Sequence, residues 1–201
     1  MEAPRWPSEA PNWEAKAMSK LLDSYNVNVG LRDREGRSHL LMVAKNGCKE
    51  LVELLLAHNG VVTADSIDQN RRVPLYWAVI GKHITIVKLL LATRKVDINH
   101  VGWSYCTPLS VAAGGGRGGI VKLLLVGNGI GVNRKDLLGR TPLSLAAEEG
   151  HQAVVKLLLD HGVIVDEGDV WGHLPLSYVL KNGHRAICQL LMYSSYLALD
   201  Q

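Results

Sequence analysis

The feature that most constrains this chain is a repeat. Leu54-Leu55-Leu56, Leu89-Leu90-Leu91, Leu123-Leu124-Leu125, Leu157-Leu158-Leu159 and Leu190-Leu191 follow one another at gaps of 35, 34, 34 and 33 residues. A second series, His39, Pro74, Pro108, Pro142 and Pro175, keeps the same gaps. Two independent markers in one register mean that a single supersecondary unit is copied along the chain. Each copy reads alike. A turn such as Asp136-Leu137-Leu138-Gly139-Arg140 precedes Thr141-Pro142-Leu143, which opens a short helix, because Thr caps well and Pro is tolerated at the first helical position. Gly150 ends that helix. His151 opens a second one, with Val154, Val155, Leu157, Leu158 and Leu159 at helical spacing, and Gly162 breaks it. Two short helices cannot bury their own apolar faces, whereas stacked neighbours can, so the expected fold is an all-α stack of helix–turn–helix units.

Composition narrows the function classes. The 201 residues carry a net charge of +3 and no run of about five like charges, so nucleic-acid binding driven by bulk charge is not expected. With 47% hydrophobic and 20% charged residues, this is a folding chain. Cys48, Cys106 and Cys188 are odd in number and far apart, which excludes a fully paired disulfide framework and a CxxC zinc cage. Reduced thiols in the cytoplasm or nucleus fit best. The opening MEAPRWPSEAPNWEAK has no apolar core, so no secretory signal is expected, and no apolar run of about 18 residues spans a membrane.

The segment TPLSLAAEEGHQAVVKLLLDHG (141–162) resembles an ankyrin repeat nearly position for position. SHLLMVAKNGCKELVELLL (38–56), VPLYWAVIGKHITIVKLLL (73–91), TPLSVAAGGGRGGIVKLLL (107–125) and LPLSYVLKNGHRAICQLLM (174–192) are weaker copies. The TPLS wording and KVDIN (95–99) are similar to the long ankyrin arrays of filamentous fungi. The resemblance implies an all-α ankyrin-repeat solenoid with short hairpin-like turns. The expected organisation is a tail (1–12), a half-repeat cap (13–33), five repeats (about 34–67, 68–101, 102–135, 136–168 and 169–195) and a C-terminal tail (196–201). Such a chain is either complete or the end of a longer one.

The resemblance also implies that turn residues face a concave recognition surface and that TPLS and VVKLLL positions are core. On that basis Met42, Trp77, Val111, Leu145 and Tyr178 form a column expected between the helices. His83, His151 and His184 recur at one position of the unit, at least one repeat apart, and are expected to hydrogen-bond locally in their turns. Imidazole–zinc bonds of about 2.0–2.1 Å exclude a shared metal at that separation. Arg37, Arg72 and Arg140 share a turn column with Cys106 and His173, either a solvated ladder or a basic stripe for an acidic partner.

The informative departures are apolar turns, since most turns of this family are polar. Trp103 and Tyr105, then Leu137 and Leu138, then Val170 and Trp171 fall in three successive turns. If exposed, they form a patch of residue types that dominate interface hot spots. The oddest segment is Gly114-Gly115-Gly116-Arg117-Gly118-Gly119, which lacks the Lys-Ser/Thr of a phosphate loop. It reads either as drift or, with Trp103 and Cys106 beside Gly114, Gly115 and Gly116, as a hollow for a small molecule.

No HExxH, GxSxG, Walker or dinucleotide motif occurs. Cys106 and His173 are two repeats apart, too far for a nucleophile and base that need about 2.6–3.2 Å. The expected function is a non-enzymatic protein-interaction module with no cofactor or metal. Trp103, Tyr105, Leu137, Leu138 and Trp171 anchor the partner, and Arg72, Arg140 and His173 orient its acidic groups. Self-association through the same turns is a variant of this reading. The alternative is a small-molecule-binding protein, or an unorthodox enzyme of fungal metabolism, using the glycine hollow.

Overall fold

A computed structural model describes residues 32–57 and 63–199, with the side chains of 197–199 left out. The N-terminal tail (1–12) and all but the last residues of the expected half-repeat cap (13–33) lie outside the described residues. Among the described residues there are ten α-helices and no strand, only a bridge between Arg32 and Ser38. The chain divides into two compact units, Met1–Asp97 and Ile98–Gln201.

The first unit holds α1 (His39–Asn46), α2 (Lys49–Ala57), α3 (Pro74–Ile80) and α4 (Ile84–Ala92). The second holds α5 (Pro108–Gly114), α6 (Gly118–Leu125), α7 (Pro142–Glu148), α8 (Gln152–Leu159), α9 (Pro175–Asn182) and α10 (Arg185–Leu199). Odd-numbered helices pack on odd and even on even: α1 on α3, α2 on α4, α5 on α7, α7 on α9, α6 on α8 and α8 on α10. The helix starts follow local chemistry. Thr107 and Thr141 accept the amides of Ser110 and Ser144, and Thr141 with Ser144 forms a reciprocal capping box. Val73 and Leu174 stand at the same position with no side-chain cap, leaving Pro74 and Pro175 to set the first turn.

Each leucine triplet sits with its middle member inside. Leu55, Leu90, Leu124 and Leu158 are buried, as is Leu191, while their neighbours, apart from the buried Leu125, stand at the sides of the helix because successive residues turn by about 100°. The last helix departs from the pattern. α10 runs 15 residues, against eight for α6 and α8, and carries helix through residues 196–199, where the sequence reading placed a tail. No glycine interrupts it: Ser195 occupies the register at which Gly162 turns left-handed after α8.

Successive repeats are also joined by rings. The Nε2–H of His83 donates to the carbonyl of Lys45 (3.1 Å), that of His151 to Gly114 (3.0 Å) and that of His184 to Glu148 (3.1 Å). These histidines therefore reach the preceding repeat, not their own turn as expected. Each ring fills the space over a left-handed glycine: a Cβ on Gly47, Gly116 or Gly150 would stand 2.5, 2.7 or 2.6 Å from the ring of His83, His151 or His184. Glycine is needed there twice over, for its positive φ and for the ring.

Candidate functional site

Four of the turns are built on a carboxylate, buried at Asp68, Asp136 and Asp169 and half-buried at Asp33. Asp33 accepts the amides of Glu35 and Arg37, Asp68 those of Asn70 and Arg72, Asp136 those of Leu138 and Arg140, and Asp169 those of Trp171 and His173, all at 2.8–2.9 Å. The remaining charge is met by the residue four places on. Arg37, Arg72 and Arg140 donate Nε to their turn carboxylates at 2.7, 2.8 and 3.0 Å, and His173 Nδ1 lies 3.2 Å from Asp169. The aspartates were missed as a set in the sequence, although they repeat in register with the leucine triplets.

This corrects the basic stripe. Arg140 spends Nε and Nη2 on Asp136 and Nη1 on Glu148 (3.1 Å). Arg72 holds Asp68 while its guanidinium lies over the Trp77 ring, 4.2 Å from the centroid. His173 faces Asp169 and stacks beside Trp171 and Tyr178, at 6.3 and 5.9 Å between ring centroids. A partner's carboxylate would have to displace a carboxylate already bound and desolvated, which is a net loss. Arg72 and Arg140 are structural members of their turns; His173 bonds Asp169 through Nδ1 with its side chain 56% exposed.

Asp169 carries the strongest such environment. Burial pushes its carboxyl up, but the Tyr178 hydroxyl (2.5 Å), the amides of His173 and Trp171 and the His173 ring outweigh it and hold it down at about 2. Burial, the bond to Asp169 and its charge push Tyr178 up to about 12.

The column Met42, Trp77, Val111, Leu145 and Tyr178 is half-buried in every repeat, not core as expected. Two of its members carry polar tips. Trp77 donates Nε1–H to Asp68 (3.2 Å), with Lys45 Nζ 4.5 Å above its ring, and Tyr178 donates to Asp169. These rings line the inner side of the turns and tie the carboxylates to the helices.

The tips of the second unit stand clear. Trp103 is 68% exposed, Tyr105 59%, Leu137 61% and Trp171 63%; Leu138 and Val170 are exposed as well. Backbone bonds hold neighbouring tips side by side: Leu137 N–H donates to Ser104 O (2.9 Å) and Val170 N–H to Leu138 O (3.0 Å). Of the eight residues expected to meet a partner, the structure brings five to one exposed row (Trp103, Tyr105, Leu137, Leu138, Trp171); Arg72 and Arg140 are half-buried and paired within their turns, and His173 is exposed while bonded to Asp169.

Within this row the turn 102–106 is strained. It has Gly102 where the others have Asp, and Ser104 (φ 56) and Tyr105 (φ 59) are both left-handed, whereas Gly139 and Gly172 take that conformation in the later turns. A non-glycine residue held there costs on the order of 1–2 kcal/mol.

The glycine hollow is filled by the protein. A Cβ on Gly115 would stand 1.9 Å from Arg117 Nη1, one on Gly116 would meet the His151 ring, and one on Gly114 would touch Leu145. These glycines admit neighbouring side chains, so Gly114, Gly115 and Gly116 with Trp103 and Cys106 lose their motive as a small-molecule site. Burial and the Asp136 charge push the Cys106 thiol up, against a smaller opposing effect of Arg140. Among the described residues no group of three His, Cys, Asp or Glu could hold a metal, and no helix is long and apolar enough to cross a membrane.

Comparison with known proteins agrees with this architecture. A family model described as ankyrin repeats (3 copies) matches residues 10–101 and again 106–200. A putative ankyrin repeat protein of Rickettsia bellii (strain RML369-C) is 33% identical over 94 residues. That match takes in 46% of this chain and 51% of the relative, so the likeness spans about half of that protein's length. Ankyrin repeats generally mediate protein–protein interaction and are typically not enzymes. With both matched stretches carrying the helix pairs, ring contacts and turns described above, the chain belongs to the ankyrin-repeat family.

Proposed function

We propose that this chain is a non-catalytic recognition module that takes a protein partner on the turn tips of residues 98–201. Trp103, Tyr105, Leu137, Leu138 and Trp171 are the anchors. One observation carries the reading: large apolar side chains stand exposed on three consecutive, hydrogen-bonded turns where nothing in the fold needs them. The strain at Ser104 and Tyr105 supports it further, since a glycine would relieve Tyr105 and the chain keeps a tyrosine. Specificity comes from shape and aromatic contact, because the arginines beneath are already paired. The three free cysteines suit a reducing compartment, which we assign as cytoplasm or nucleus.

The test is a paired capture from host lysate with the parent chain and the Trp103→Ala/Trp171→Ala variant, both confirmed folded by circular dichroism. A protein held by the parent and lost by the variant supports the assignment. Partners held equally by both move the site elsewhere, and a parent chain that associates with itself only through these tryptophans makes the patch a self-association surface.

A further inference from the structure

Three Asn-Gly dipeptides lie among the described residues, Asn46-Gly47, Asn128-Gly129 and Asn182-Gly183, and a fourth, Asn59-Gly60, lies outside them. Such a pair carries a latent reaction. The backbone nitrogen of the glycine can attack Cγ of the asparagine side chain, and glycine, having no Cβ, leaves that nitrogen unshielded. Attack requires the peptide unit between the two residues to rotate onto the side chain. The hydrogen bonds of that unit therefore decide which pair reacts. At two of the three pairs the unit is locked. Gly47 and Gly183 end α1 and α9, and their amides donate to the carbonyls of Val43 and Val179 as helix caps. The Asn182 side chain is also drawn away, its Nδ2 donating to the carbonyl of Glu148 at 2.8 Å.

Asn128-Gly129 escapes both restraints. The two residues are the centre of a turn beyond the end of α6, closed by Ile130 N–H to the carbonyl of Gly127 at 3.3 Å. Neither the carbonyl of Asn128 nor the amide of Gly129 bonds to a described atom, and both residues are exposed. Beyond its chain neighbours, no described atom lies within 4 Å of a Cβ built on Gly129. The turn also borders a recurring clasp. Asp65 accepts the amide of Asp97 (3.0 Å), Asn99 that of Gly131 (2.7 Å) and Asn133 that of Ile164 (3.0 Å), so each ties its connector to that of the next repeat. Asn99 adds a second bond, from Nδ2 to the carbonyl of Gly129 at 2.7 Å.

We propose that Asn128 is a site of spontaneous covalent conversion, in which the Gly129 nitrogen displaces ammonia from the Asn128 side chain and water opens the ring to aspartate or isoaspartate. The Gly129 nitrogen gives up its proton and bonds to Cγ. The Cγ–Nδ2 bond breaks, and that nitrogen leaves with the proton as ammonia. Water then opens the five-membered succinimide. Cleavage between Cγ and the ring nitrogen gives aspartate. Cleavage between the main-chain carbonyl carbon and the ring nitrogen gives isoaspartate, whose main chain runs through Cβ. Nothing is oxidised or reduced, and water is the co-reactant. Either product places a negative charge beside the clasp. Isoaspartate also lengthens the main chain by a methylene just before Gly129 and carries the Gly129 carbonyl away from Asn99 Nδ2. The conversion thus marks the age of the molecule in its charge and in the fit of its connectors.

The test is a time course of the folded full chain in mildly alkaline buffer, read by tryptic mapping and mass spectrometry as the exchange of NH2 for OH. The fragment 123–134 holds Asn128 and Asn133, which fragmentation tells apart. Asn128 should convert about tenfold or more faster than Asn46 and Asn182, which must first open a helix end. The same chain in urea should bring the three to similar rates, because the caps are gone. Asn128→Gln, at an exposed turn position, should fold and show no conversion in that fragment. The isoaspartyl chain, separated by ion exchange, should melt below Asn128→Asp, which changes the charge alone, and close to Asn99→Ala, which removes the clasp. Equal rates at the three asparagines of the folded chain overturn the proposal, as does an Asn128 that reacts only in urea. An isoaspartyl chain that melts with Asn128→Asp overturns the effect on the clasp.

Discussion

The two units share a turn and differ at its tip. In the first unit the tip residues are Arg34-Glu35 and Gln69-Asn70; in the second they are Trp103-Ser104, Leu137-Leu138 and Val170-Trp171. Beneath both, the first residue of the turn donates its amide to the carbonyl of the fifth: Asp33 to Arg37, Asp68 to Arg72, Gly102 to Cys106, Asp136 to Arg140 and Asp169 to His173. The apolar tip side chains of the second unit make no hydrogen bond to the aspartate network, whereas in the first unit Glu35 also pairs with Arg37 (2.8 Å). The difference teaches that the turn is held from below, which leaves its two outermost residues free to be set by what they meet.

The largest expected effect concerns what the units share. Asp136→Ala strands two amides and a guanidinium around a buried site and should destabilise the protein by roughly 3–5 kcal/mol. Asp68→Ala should do the same in the first unit. Urea unfolding measures both, and a loss under about 1 kcal/mol in either would break the claim of a common scaffold. Next come the tips. Trp103→Ala and Trp171→Ala should each weaken partner binding by about 2 kcal/mol while changing stability by no more than about 0.5 kcal/mol. Arg34→Ala and Gln69→Ala should leave that binding alone; equal losses from both units would erase the distinction.

A smaller effect sharpens the comparison through backbone strain. Arg71 (φ 59) and Tyr105 (φ 59) occupy the same left-handed turn position, one in each unit. Replacing either with Gly should stabilise the chain by about 1 kcal/mol, as thermal unfolding would read. Only Tyr105→Gly should also cost binding. The weakest lever is pH, at the acid and alkaline extremes. Asp169 is held at about 2, below its ordinary 3.8, so its contribution is complete above pH 4 and is lost as pH falls towards 2. Tyr178 is raised from 10.0 to about 12, so its share is complete below pH 10 and fades as pH rises through 12. A melting-temperature profile of Tyr178→Phe should be flatter at both ends. In the first unit Asp68 meets Trp77 Nε1 at this place, a group that does not titrate in this range, so Trp77→Phe should add no alkaline arm.

Much was legible before any coordinates. The leucine triplets, the Thr-Pro-Leu openings and the terminating glycines are local signals, and each places a helix boundary by its own chemistry. Three positions were legible as residues but not as roles. The arginine column reads as free charge until the aspartate four residues earlier is seen folded beneath it. The glycines at 114–116 read as space until Arg117, His151 and Leu145 are seen occupying it. The histidines read as turn residues until their rings reach the carbonyls of the preceding repeat.

By itself the sequence determined the period, the all-α class, the order of helix and turn, and which turns carry apolar tips. All of these depend on residues close together in the chain, where φ preference, capping and helical spacing act. The tertiary structure alone decided which charges are spent and which glycines are filled. Those outcomes depend on what the neighbouring repeat brings within a few ångströms, and desolvation and pairing have no value until that neighbour is in place.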